Sequence, residues 1–393
     1  MTLSPTLSRL STVGALALAI AASPAYAVAV KDDLVSVGIK GQLQVRANLL
    51  NDVNNTAGDS IEYDSAIFSA RRARFGLSAQ MGDNWKANLI VRGGETVGLV
   101  APGIADPISL FYANVYYTGK TGSVAHEVGM GLDKPFTSAS SQSSTSYLLP
   151  TERITSAGST AGNFDPRGYG VFYKLTGDFF AAGVSLMNGE NAVNADGTAD
   201  GITDGTAVAN GQDKFTYTLR AEFAPGAGLW AKKMETYAGA DGHSLVIGAE
   251  YVNNMGNDLD EDTSWIGIDV TGHLNGLSAL AEIKMLENEQ PVGDSVKGQY
   301  IAIQAGYAFK LNSGYVVEPA LRYSLIDNNT DTDEISSYGT VSENGGSGTQ
   351  IDIGANWYWK GHNNKTQLAL QLWSAEEGDA DATVLRLQQN FAF

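Results

Sequence analysis

Phe215-Thr216-Tyr217-Thr218-Leu219-Arg220-Ala221-Glu222-Phe223 carries an apolar side chain at every odd position and a polar one at every even position. Successive side chains of a strand point to opposite faces, so this stretch presents one oily face and one wet face. The same period returns along the chain. Val35, Val37, Ile39, Leu43 and Val45 alternate with Ser36, Lys40, Gln42, Gln44 and Arg46. Tyr315, Val317, Pro319, Leu321 and Tyr323 alternate with Val316, Glu318, Ala320, Arg322 and Ser324. Ile351, Ile353, Ala355, Trp357 and Trp359 alternate with Asp352, Gly354, Asn356, Tyr358 and Lys360. About sixteen such segments can be counted, the last running from Thr383 to Phe393. A soluble sandwich also alternates, so the period needs a second observation.

The connections supply it. Met81–Asn84, Gly119–Gly122, Thr176–Asp178, His273–Gly276, Leu311–Gly314 and Gly361–Asn364 read as tight turns rich in Gly, Asn and Asp. Between them fall long polar loops, notably Asn188–Asp213 and Asp327–Gln350. The connection Ala224–Gly242 is long where a short turn is due. Short turns on one side and long loops on the other describe an all-β, transmembrane antiparallel barrel of about 16 strands. A strand tilted in a bilayer needs only roughly 9–11 residues to cross it, and in lipid only helices and closed barrels satisfy every backbone group. Tyr112, Tyr116, Tyr117, Phe179, Phe180, Tyr251, Tyr323, Trp357 and Trp359 are expected near the membrane interfaces as an aromatic girdle.

The start of the chain reads differently. Arg9, the apolar run Leu10–Ala22 and the Ala25-Tyr26-Ala27 site have the form of a signal peptide over residues 1–27. Residues 28–393 then form one outer-membrane barrel. Cysteine is absent, which in an exported protein excludes disulfides and thiolate chemistry. A net charge of −18 argues against nucleic acid as a partner.

Inward positions of the first three strands carry Lys40, Arg46, Arg72, Arg74, Lys86 and Arg92, with no acid on that face in the same segments. A wall of one sign inside a low-dielectric tube concentrates counter-ions, and rings of Arg or Lys select anions. A second reading pairs that wall with carboxylates from an infolded loop or from Glu222, Glu250, Glu282, Glu318 and Asp352 of later strands. The histidines offer no base for a nucleophile: His126 sits at an outward position, His243 at a strand start, and His273 and His362 in turns. The chain is therefore expected not to be an enzyme, and neither a cofactor nor a metal site is expected. Asp196, Asp200 and Asp204, and Asp331, Asp333 and Glu334, read as solvated acidic loops rather than an EF-hand. A barrel adhesin would place its function in those loops and need no open lumen.

Arg71-Arg72-Ala73-Arg74-Phe75-Gly76-Leu77, followed by the Gly82-Asp83-Asn84-Trp85 turn, resembles the R-R-A-R opening of the phosphate-selective porin O and P family. Lys134-Pro135-Phe136, the Ser-rich stretch to Glu152-Arg153, and Phe164-Asp165-Pro166-Arg167-Gly168 are similar to its following segments. Ala320–Ser324 and Gly354–Tyr358 are similar to its late strands, and the final strand resembles the C-terminal insertion signal of outer-membrane proteins. The resemblance implies a homotrimeric, sixteen-stranded channel in the bacterial outer membrane, among lipid and lipopolysaccharide. It implies passage of small hydrophilic solutes or anions, including phosphate or polyphosphate, past a ladder to which Arg72 and Arg74 contribute. A general diffusion porin without phosphate selectivity is the alternative. As in sixteen-stranded porins, the loop after the fifth strand, about 133–167, is expected to fold inward as the constriction. Its basic residues are Lys134, Arg153 and Arg167, with Asp133, Glu152 and Asp165 as counter-charges.

Overall fold

The computed structural model describes residues 29–31, 35–51, 53–54, 60–61, 65–93, 108–152, 167–188, 215–226, 243–254, 262–289, 295–327, 347–375 and 382–393. The proposed signal peptide, Arg153, Asp165, both acidic loops and residues 227–242 of the long connection lie outside them.

Sixteen strands close the barrel. They are β1 (Val35–Asn51), β2 (Ser65–Met81), β3 (Trp85–Gly93), β4 (Ser109–Thr121), β5 (Val124–Asp133), β6 (Gly168–Thr176), β7 (Phe180–Asn188) and β8 (Phe215–Phe223). The series continues with β9 (His243–Asn254), β10 (Asp262–Leu274), β11 (Leu277–Glu289), β12 (Val296–Tyr307), β13 (Val316–Asp327), β14 (Gly348–Tyr358), β15 (Asn364–Ala375) and β16 (Ala382–Ala392). Every strand pairs antiparallel with its sequence neighbours. The ring is completed by β1 against β16, with Leu43 opposite Phe391 and Asn51 opposite Thr383. Gly41 and Phe393 exchange both backbone hydrogen bonds, at 2.9 and 3.0 Å, so the last residue of the chain is part of the seam. Closure removes the open edges that would otherwise pair with other chains.

The tight turns follow from local chemistry. Asn275 and Gly276 both adopt positive φ, 47° and 95°, which is the two-residue turn matched to strand twist. Outside, Leu219, Ile266, Ile303 and Leu321 are each at least half exposed, as expected of a surface that lipid covers. Trp85 with Tyr117, Tyr315 with Trp359, and Trp357 with Trp359 form ring pairs 5.2–5.4 Å apart beside the short turns. Two of the expected girdle residues do not belong to it. Tyr112 and Tyr116 share the inward parity of Asn114 and make their hydrogen bonds inside the barrel. His273, expected in a turn, lies within β10, buried and facing inward, with its Nδ1 2.9 Å from Ser244 Oγ.

Two places break the two-residue period. Gln44 faces Arg72 while Val45 faces Ala70, which leaves Arg71 as an extra residue in β2. Ile90 faces Tyr112 while Val91 faces Leu110, which leaves Phe111 extra in β4. Such bulges re-aim the inserted side chain. Both Arg71 and Phe111 are turned inward and buried.

Candidate functional site

After β5 the chain turns into the barrel. Residues 134–152 include one helical turn, Ala139–Gln142, and almost every side chain from Pro135 to Glu152 is buried. Among the described residues no helix is long and apolar enough to cross a membrane. The segment is held by hydrogen bonds to strands on opposite sides of the wall. Ser138 Oγ accepts from Lys284 Nζ, and Ser140 Oγ donates to Glu282. Thr145 O and Ser146 Oγ accept from Gln44 and Gln42. Leu148 O accepts from Lys365 Nζ at 2.9 Å, and Leu149 O accepts from Asn356 at 2.9 Å. Tyr147 reaches the ring of His362, 4.4 Å away, in the turn between β14 and β15. Gly306 lets it pack closely: a Cβ there would meet Leu149 Cδ1 at 2.7 Å, so a larger residue would force the Leu149 side chain to shift.

The segment divides the interior into two unlike halves. Against β9–β15 it seals the space. There Glu250, Glu282, Lys284, Glu318, Arg322, Asp352 and Lys365 are buried, beside an apolar cluster of Ala139, Val252, Trp265, Leu280 and Tyr300. Charges on this side are matched locally. Arg220 bonds Asp269 at 2.7 and 2.9 Å and Glu222 at 2.8 Å. Lys284 lies 3.3 Å from Glu250 and 3.2 Å from Glu282, and Arg322 pairs with Asp352 at 2.7 Å. Along β1–β4 part of the inward face remains accessible, towards the short-turn end and along β3 and β4. Lys40, Gln80 and Lys86 are exposed, and Arg74, Asn88, Arg92, Tyr112 and Tyr116 are half-buried.

The six basic residues of the first strands therefore meet different fates. Lys40 Nζ donates to Asn88 at 3.2 Å in the accessible half, and Lys86 stands nearby at the short-turn end, in register with Gln80 and Tyr116. Arg46 and Arg72 are buried and converge on Glu152, the last described residue of the infolded segment. The bulge adds Arg71, which donates to the same carboxylate at 2.7 and 3.2 Å. Arg322 Nη1 holds the backbone oxygen of Glu152 at 2.9 Å. Burial by itself would push this carboxyl up. Arg46, Arg71 and Arg72 outweigh that and hold it well below the usual carboxylate range. The carboxylate partner of the basic wall is thus the loop's Glu152, whereas Glu222, Glu250, Glu282 and Asp352 hold the cations of their own half.

Arg74 and Arg92 gather elsewhere. Arg74 donates to Thr145 Oγ1 at 3.3 Å and lies over Phe111. Arg92 donates to Ser109 at 3.1 Å, and Arg167, at the start of β6, donates to the Tyr112 hydroxyl at 3.3 Å. Lys134 turns back on its own segment and donates to Ser141 O. Asp133 accepts from Asn114, Tyr116 and the Lys134 amide. Period-two reading missed Arg71 and Phe111, because the bulges that turn them inward depend on strand register and leave no mark in the residue order.

The model of the phosphate-selective porin O and P family matches residues 43–275, more than half of the chain. No curated protein matches it. Among solved structures, the chain is similar to an anion-selective porin from Comamonas acidovorans, with 16% identity, a TM-score of 0.57, and coverage of 91% of this chain and 100% of the other. It is similar to OmpF of Salmonella typhi in complex with daunomycin, with 12% identity, a TM-score of 0.58, and coverage of 93% and 100%. It is also similar to the trimer form of OmpT from Vibrio cholerae, with 12% identity, a TM-score of 0.54, and coverage of 92% and 100%.

Proposed function

The chain belongs to the phosphate-selective porin O and P family, an outer-membrane porin, and from that premise we propose a passive channel for small anions, phosphate among them. The carrying observation is the unequal division of the lumen. Solutes pass along β1–β4, where Lys40, Lys86, Arg74 and Arg92 line the accessible side and Arg167 and Lys134 stand at the two stems of the infolded segment. Positive charge in a narrow, low-dielectric passage raises local anion concentration and lowers that of cations. Guanidinium is weakly hydrated and matches oxyanions edge to edge, which allows binding and release. The infolded segment acts as the constriction. The first 27 residues are removed on export, the mature barrel assembles as a homotrimer among lipid and lipopolysaccharide, and no chemistry is performed on the solute.

Reversal potentials in a KCl gradient across a planar bilayer test this reading. Chloride should be favoured over potassium, and adding phosphate should reduce chloride current. A channel that favours potassium overturns it. A purified protein that never conducts but binds a host surface ligand supports the adhesin reading instead.

A further inference from the structure

Arg74, on β2, and Arg167, immediately before β6, each place the guanidinium carbon 3.8 Å from the centroid of the Phe111 ring. The two guanidinium groups thus share one ring. Arg92 lies 5.5 Å from the same centroid. The Arg167 guanidinium also lies 4.8 Å from the Tyr112 ring. Like charges gathered this closely repel; the hydrogen bonds of Arg74 to Thr145, Arg92 to Ser109 and Arg167 to Tyr112, the nearby Asp133 carboxylate and the ring the three share all oppose that repulsion. The π-face of Phe111 attracts each cation through its quadrupole while carrying no net charge. A carboxylate in its place would order the same groups but subtract its own charge from the lumen. Phe111 occupies this position only because the β4 bulge turns it inward.

We propose that Phe111 is the positioning residue for anion selectivity, fixing Arg74, Arg92 and Arg167 as one cationic cluster beside the solute path. This rests on the anion-channel reading above. A guanidinium stacked by its face directs its N–H groups sideways, so the cluster presents donor edges to a passing anion. The residue acts through the arginines and need not touch the solute.

The test is the chloride-to-potassium permeability ratio of purified wild type, Phe111→Leu and Phe111→Trp in planar bilayers. Phe111→Leu should lower the ratio about threefold or more while single-channel conductance stays within about twofold, because the cations lose their common anchor but the passage keeps its width. Phe111→Trp, which restores an aromatic face, should recover the wild-type ratio. An unchanged ratio in Phe111→Leu, or an equal loss in both variants, overturns the proposal. Should Phe111→Leu fail to assemble, Arg167→Gln decides, since it leaves ring and strands in place: a lowered ratio supports the cluster, and an unchanged one overturns it. A wild-type channel that does not favour chloride overturns the anion reading itself, which separates that failure from this one.

Discussion

Two arginine clusters stand inside one barrel and are held by opposite means. Arg46, Arg71 and Arg72 close on the Glu152 carboxylate, buried under the end of the infolded segment. Arg74, Arg92 and Arg167 gather around the neutral ring of Phe111 at the edge of the accessible half. Each cluster depends on one bulge residue, Arg71 in the first and Phe111 in the second. A carboxylate anchors strongly but offsets one of the three positive charges, and burial keeps the cluster away from the solute path. A ring anchors more weakly and leaves the charge in place. The first arrangement suits a structural lock that seats the segment, and the second suits a field that acts on solutes.

The largest break in that comparison comes from removing the lock. Glu152→Ala leaves three guanidinium groups buried around a missing carboxylate, and breaking a buried pair in this way costs about 3–5 kcal/mol. Thermal unfolding followed by the gel shift of the folded barrel should show a clearly lower transition. Channel openings of this variant should also be larger and noisier, because the segment is no longer tied down. A wild-type melting temperature would mean that Glu152 does not anchor it.

A sharper comparison sets one arginine from each cluster side by side. Arg74→Gln should lower the chloride preference about threefold, whereas Arg72→Gln, whose charge already faces Glu152, should change it much less. Equal losses would erase the distinction. Raising the salt should weaken the contribution of Arg74 as well, since screening acts over roughly 8 Å at physiological ionic strength.

Acid separates the clusters in another way. The Glu152 carboxyl sits well below its ordinary value of 4.5, so its stabilising contribution is complete above that value. The contribution falls only as pH drops from there towards the much lower folded value. Unitary conductance should therefore remain steady from neutral pH down to about 4.5 and change only under stronger acid. A step near neutrality would point to a different group at the lock. The smallest effect is expected of Tyr112→Phe, which removes the 3.3 Å hydrogen bond to Arg167 but keeps the ring. A single hydrogen bond is worth about 0.5–1.5 kcal/mol, so selectivity should shift slightly and assembly not at all. Loss of the folded barrel in this variant would show that Tyr112 supports more than one arginine.

Much of this molecule is legible from residue order. Alternation along Phe215–Phe223 and its counterparts, the turns ending in Gly276 or Gly314, and the terminal strand through Phe393 together specify a closed antiparallel barrel. Each of these signals is local. The strand period, the positive φ of a turn residue and the need to satisfy the backbone in lipid act within a few residues or apply to every strand alike. The same parity places Lys40, Arg46, Arg72, Arg74, Lys86 and Arg92 on the inner face.

What each of those residues does there was decided elsewhere. The bulges at Arg71 and Phe111 arise from register between neighbouring strands, and a one-residue shift moves a side chain from lipid to lumen. Tyr112 and Tyr116 read as girdle aromatics for the same reason, since their membership of the inner face is a matter of register. The choice between a locked arginine and an exposed one rests on where residues 134–152 settle. That depends on contacts with Gly306, Lys365, Asn356 and Arg322, more than a hundred positions away in the chain. The sequence by itself determined a barrel with a basic inner wall. Only the tertiary structure decided which arginines face a carboxylate and which face a ring, because that choice lies in long-range packing, which no local period encodes.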